Sequence, residues 1–107
     1  MARRNRFADP TVGLSREETL CLRAARLERK GDSRQAMLLL KAAAHENPQD
    51  PKLWVLYGVQ CTRVGRYDTA VQALTHAAWL RERAAEPAKA RTTRALIEQL
   101  CSEERAA

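Results

Sequence analysis

Aromatic side chains make up only 5% of the 107 residues, and glycine and proline number four each. So few chain breakers and so few strand-favouring rings argue for helix over strand throughout. Long apolar runs are missing as well. No stretch approaches the 18 or so consecutive apolar residues that a membrane-spanning helix needs, so no membrane span is expected. Cysteine is scarce and oddly counted: Cys21, Cys61 and Cys101 form no Cys-x-x-Cys or His-paired spacing. Neither a disulfide framework nor a zinc site is therefore suggested, and reduced thiols in a cytoplasmic protein are the simplest expectation. The opening "MARRNRFADP" carries positive charge with no apolar run behind it, so no export signal is expected.

What is present is alanine, leucine and charge. The apolar fraction is 45%, and nineteen Lys and Arg against thirteen Asp and Glu give a net charge of +6. A chain of this length forms one small domain that buries roughly 60–70% of its unfolded surface, enough for a modest core but not for a large enzymatic cleft. The positive balance raises a polyanion as partner. Most of the charges nevertheless stand between apolar positions on helical segments, which is the pattern of a solvated face.

Punctuation along the chain divides it into a tail and five helices. Residues 1–14, with Arg3, Arg4 and Arg6, show neither helical nor strand period and read as a flexible basic tail. A domain over 15–104 follows. Ser15 with Glu18 forms a capping box for a first helix from about Arg16 to Lys30. Gly31 supplies the left-handed residue of a helix end, and Asp32 with Gln35 offers a second capping box for a helix to about Glu46. In "NPQDP", Asp50 can cap and Pro51 suits the first turn of a third helix to about Val64. Gly65 then repeats the role of Gly31, and a fourth helix spans about Arg66 to Arg83, extending to about Ala85. Pro87 starts a fifth, whose Leu96, Ile97, Leu100 and Cys101 make one apolar stripe opposite a charged face, as a terminal cap requires.

Shifting the sequence by 34 residues pairs Leu20 with Trp54, Ala24 with Gly58, Leu27 with Cys61 and Gly31 with Gly65; Ala36 falls on Ala70, Leu40 on Leu74 and Ala43 on Ala77. A helix-turn-helix unit of this period, with Trp54, Gly58, Gly65, Tyr67, Ala70 and Ala77 in the second copy and Ala24, Gly31, Ala36, Ala43 and Pro48 in the first, resembles the tetratricopeptide repeat. The resemblance covers repeats 17–50 and 51–84, with 87–104 as a capping helix. It implies an all-α fold, a short α-solenoid. Arg23 stands where the family usually has Leu, and Glu82 where it usually has Pro.

In that family the first helix of each repeat lines a concave, peptide-binding face. Carried over by offset, the resemblance implies a groove presenting Glu18, Cys21, Leu22, Ala25, Glu28 and Arg29 from the first repeat. From the second come Lys52, Val55, Leu56, Val59, Thr62 and Arg63. The Lys, Asn and Arg with which one subclass grips acidic chaperone tails are replaced here by Cys21, Ala25, Leu56, Glu86 and Ala90, so that co-chaperone role is disfavoured. An apolar floor of Leu22, Val55, Leu56 and Val59 suits the apolar side of a helix or an extended apolar segment of another protein, with Arg29, Lys52 and Arg63 selecting acidic flanks. The alternatives are self-filling, by the terminal helix or by Phe7, Val12 and Leu14, and burial in a homodimer.

Trp54 is expected in the core and Trp79 against the terminal helix, with Leu38 a neighbouring outer residue. His45 and His76 stand alone, with no arrangement that makes a nucleophile, so neither catalysis nor a cofactor is expected. Arg23, Arg26 and Lys30 share a face that could meet phosphates, but no stacking platform or Gly-rich loop accompanies them. The expected function is thus protein binding, as adaptor, assembly factor or small chaperone. Nucleic-acid binding, or a self-associating subunit of a secretion or motility complex, is the alternative.

Overall fold

The structure, a computed structural model, describes Gly13 and residues 15–106. The expected tail over 1–14 lies, but for Gly13, outside the described residues. Five α-helices account for the rest: α1 (Arg16–Arg29), α2 (Ser33–Glu46), α3 (Pro51–Arg63), α4 (Tyr67–Arg83) and α5 (Pro87–Ala106). No strand occurs among the described residues, so the expected all-helical class holds.

Each helix starts and stops for local reasons. The Ser15 hydroxyl accepts the Glu18 amide at 3.1 Å and the Glu18 carboxylate accepts the Ser15 amide at 3.4 Å, which completes the expected capping box. Asp50 accepts the Lys52 amide at 3.0 Å, with Pro51 in the first turn of α3. Asp32 departs from expectation and makes no side-chain cap. Its ψ is 53°, against 166° at Ser15, so its carboxylate is not set in the extended geometry from which a cap reaches forward.

The reason lies in the turn itself. The Gly31 amide donates to the Glu28 carbonyl at 2.9 Å and the Asp32 amide to the Leu27 carbonyl at 2.8 Å, a Schellman closure around a left-handed Gly31. The same pair of bonds recurs at Gly65, to the carbonyls of Thr62 and Cys61. A third copy ends α4: the Ala85 amide donates to Glu82 and the Glu86 amide to Arg81. There the left-handed residue is Ala85, at φ +58°, so α4 stops at Arg83 rather than running on to Ala85. An L-residue in this region is strained by about 1–2 kcal/mol. Ala85→Gly is therefore expected to raise unfolding stability by about 0.5–1 kcal/mol, read as a higher urea midpoint. An unchanged or lower midpoint would contradict the strained turn.

Consecutive helices pack on one another, and α1 also touches α3. The body measures 53 × 35 × 21 Å, and 21 Å is the thickness of two helix layers. Small residues fill the seams. Ala36, Ala44, Ala70, Ala77 and Ala78 are wholly buried, with Leu53, Leu74 and Cys61 as the larger fill. Gly58 lets α3 approach α4 tightly: a Cβ placed there would stand 2.9 Å from Leu74 Cγ.

One polar clasp ties the two helix pairs together. Gln60, 2% exposed, donates through Nε2 to the Ser33 carbonyl at 3.0 Å and also to the Glu28 carboxylate. The amide of Gln60 is the main reason the Glu28 carboxyl lies below its ordinary pKa, helped by Ser33 and the nearby Arg63 charge. Glu28, expected on the groove, is thus committed to holding α1 against α2 and α3.

Candidate functional site

The groove residues read from the sequence fall into two depressions and a remainder. The larger, about 570 Å³, takes Glu17, Glu18, Cys21, Leu22 and Ala25 from α1, and from α3 it takes Lys52, Val55 and Leu56. These sets are matched: Glu18, Cys21 and Leu22 are the 34-residue counterparts of Lys52, Val55 and Leu56. Each stands at helical spacing, so equivalent turns of α1 and α3 present the same stripe side by side. Leu22 is 39% exposed, while Val55 and Leu56 are half-buried and packed partly on the core.

Val59, Thr62 and Arg63 lie elsewhere. They line a smaller depression of about 270 Å³ with Leu74 and with Leu96, Gln99, Leu100 and Glu103 of α5. The apolar stripe of α5 packs as expected, with Leu100 buried and Leu96 and Ile97 against the core. Val59, expected on the same floor as Leu22, Val55 and Leu56, lines this second depression beside residues of the terminal helix and does not line the first. Arg29 is exposed and lines neither depression. Arg23, Arg26 and Lys30 are likewise exposed.

Sequence reasoning missed Arg81. It comes from the last turn of α4 yet borders the larger groove, because its guanidinium reaches across to α5, where Nη1 donates to Thr93 Oγ1 at 2.8 Å. Thr93 is 1% exposed. Charge across the groove is consequently divided, with Glu17 and Glu18 on the α1 side and Lys52 and Arg81 on the side of α3 and α4. The floor between them is aliphatic, with the exposed Cys21 thiol at its edge.

The outer surface differs from expectation too. Trp54 packs against the core but is half-buried rather than enclosed, and its indole N–H donates to the Pro48 carbonyl at 2.9 Å. Its ring meets His45 and His76 edge-on, at 5.2 and 4.9 Å between centroids. Trp79 stays 45% exposed instead of being covered by the terminal helix; it stacks on His76 at 5.8 Å, with the Arg83 guanidinium 4.7 Å above its ring. The two histidines are thus rungs of an aromatic ladder. Leu38 is exposed at 42%.

Three free thiols differ in reach: Cys21 is exposed, Cys101 half-buried and Cys61 buried. Burial pushes the Cys61 thiol above its ordinary pKa and does the same to its neighbour Tyr57. Neither is poised as a nucleophile. Among the described residues no group of three or more His, Cys, Asp or Glu is placed to hold a metal ion, and no helix is long and apolar enough to cross a membrane. Compared with known proteins, the chain matches no family model, no curated protein and no solved structure.

Proposed function

We propose that this chain is a non-enzymatic protein-interaction module of tetratricopeptide-like build, an adaptor, assembly factor or small chaperone. In this reading the groove between α1 and α3 holds the apolar face of an amphipathic helix, or an extended apolar segment, of another protein. The supporting observation is the paired stripe itself: Leu22 is well exposed beside Val55 and Leu56, and the three share one groove large enough for several aliphatic side chains. Covering an aliphatic side chain fully contributes about 1.5–3 kcal/mol, so even partial coverage of three favours an occupant. Helix-in-groove recognition uses this arrangement of spaced apolar anchors with charged edges.

Val55→Glu is expected to weaken partner capture by about a hundredfold or more, since it places an unpaired charge on an apolar contact surface. The measurement is a pull-down compared between wild type and variant, followed by binding of the captured segment as a synthetic peptide. Val55 also touches the core, so Leu22→Glu serves as the companion variant: it sits further into solvent and should cost less stability. Undiminished binding by both variants, with helicity retained by circular dichroism, would rule the groove out.

A further inference from the structure

We propose that the groove's occupant is an amphipathic helix carrying a carboxylate side chain on the edge of its apolar face that lies against Arg81. The inference rests on the groove reading above and adds the chemistry of the partner. Arg81 is half-buried, and one of its nitrogens, Nη1, is spent on Thr93 Oγ1. Its Nε is buried with no hydrogen-bond acceptor. The Thr93 hydroxyl gives its own proton to the Lys89 carbonyl at 2.8 Å, so it accepts from Arg81 as a neutral oxygen and returns no charge.

The acids nearest to Arg81 in the chain are committed elsewhere. Glu82 holds Arg94 with two bonds, at 2.7 and 3.2 Å, and Glu86 holds Lys89 at 3.1 Å. Arg16, at the start of α1, pairs with Glu46 at the end of α2. Among the described residues, then, the guanidinium bordering the groove has no carboxylate partner. Nε, being buried, is closed to an incoming group, so a carboxylate would meet the guanidinium end-on, where the Nη1 and Nη2 donors form a fork that matches its two oxygens. Lys52, on the same side, adds a second positive charge.

Glu17 and Glu18 sharpen the expectation. They stand on α1, whereas Lys52 stands on α3 and Arg81 on α4. An occupant lying between these walls meets negative charge on one edge and positive on the other. The fitting segment is therefore an apolar stripe with acids along one edge and bases along the other, and the charge asymmetry fixes which way round it lies.

The test uses the full chain and an acetylated, amidated, fluorescein-labelled helical peptide with leucines at i, i+3, i+4 and i+7, glutamates along one edge and lysines along the other. A comparator replaces the glutamates by glutamine. Both are amidated, so a terminal carboxylate plays no part, and a third peptide with glutamine and a free carboxyl terminus supplies that arm. By fluorescence polarisation the glutamate peptide is expected to bind wild type roughly tenfold tighter than the glutamine peptide. Arg81→Gln should level the two affinities, and Arg81→Lys should keep part of the difference. High salt should shrink it.

Equal binding of both peptides by wild type, abolished for both by Val55→Glu, would overturn the carboxylate inference and leave the groove intact. A preference that survives Arg81→Gln, or tight binding confined to the free-carboxyl peptide, would overturn it too. If neither amidated peptide binds and neither slows alkylation of Cys21, the groove reading itself fails. Should Arg81→Gln not fold, the glutamate-to-glutamine comparison on wild type and on Arg81→Lys still decides.

Discussion

Leu74→Ala should cost about 3–5 kcal/mol of unfolding free energy, the upper part of the range for leucine truncation. Leu74 is 1% exposed and sits directly against Gly58 of α3. The neighbouring seam is already made of alanines that are fully buried and have no side-chain freedom with which to fill a void. Collapse around the lost isobutyl group is therefore poor, and the cavity term adds to the transfer term. A domain of this size has about 5–10 kcal/mol in total, so a third or more would go. Urea titration followed by circular dichroism measures it. A loss below about 2 kcal/mol would show that the seam closes more easily than its geometry implies.

The mirror experiment fills the same contact from the other side. Gly58→Val places a Cβ 2.9 Å from Leu74 Cγ and 3.3 Å from the Ala70 carbonyl, before its two methyl groups are counted. The leucine can turn aside only in part, and the carbonyl cannot move without α4. About 3 kcal/mol of destabilisation is expected from overpacking, partly offset because glycine is the poorer helix former. The decisive result is the double variant. Gly58→Val with Leu74→Ala should be more stable than the sum of the single losses by at least 1 kcal/mol, since each change supplies the space or the volume that the other lacks. Strict additivity would mean that the two side chains do not share a cavity.

These contacts were foreshadowed unevenly in the sequence. Gly58, as the counterpart of Ala24, pointed to a close approach, and the five helices followed from Ser15, Asp50, Pro51 and Pro87 as starts and from Gly31 and Gly65 as stops. The end of α4 at about Arg83 was expected, but the turn that makes it was hidden because its left-handed residue is Ala85, and alanine carries no such signal. Asp32 misled in the opposite sense: it is a residue type that caps, in a Schellman turn whose backbone angles do not permit it.

The groove was legible as a spacing and illegible as a neighbourhood. Leu22, Val55 and Leu56 could be grouped from a 34-residue offset, but nothing in that offset says that α5 lies across Val59, Thr62 and Arg63 and draws them apart. Arg81 was out of reach for a related reason. It belongs to a helix expected to face outward, and only its bond to Thr93, twelve residues on, shows that it crosses to the other side. Gln60 carries no mark in the sequence at all; only its two acceptors on Glu28 and Ser33 show what it holds together.

A body two helices thick has no centre remote from its edges. Val55 and Leu56 border the groove with one face and press on the core with the other, so a guest seated on them also braces the host. Under the proposed reading, a partner present at a hundred times its dissociation constant would add about 2.7 kcal/mol to the resistance of the chain against unfolding. Solitary copies would be the ones most open to proteases, and the amount of this protein in a cell would follow the supply of its client.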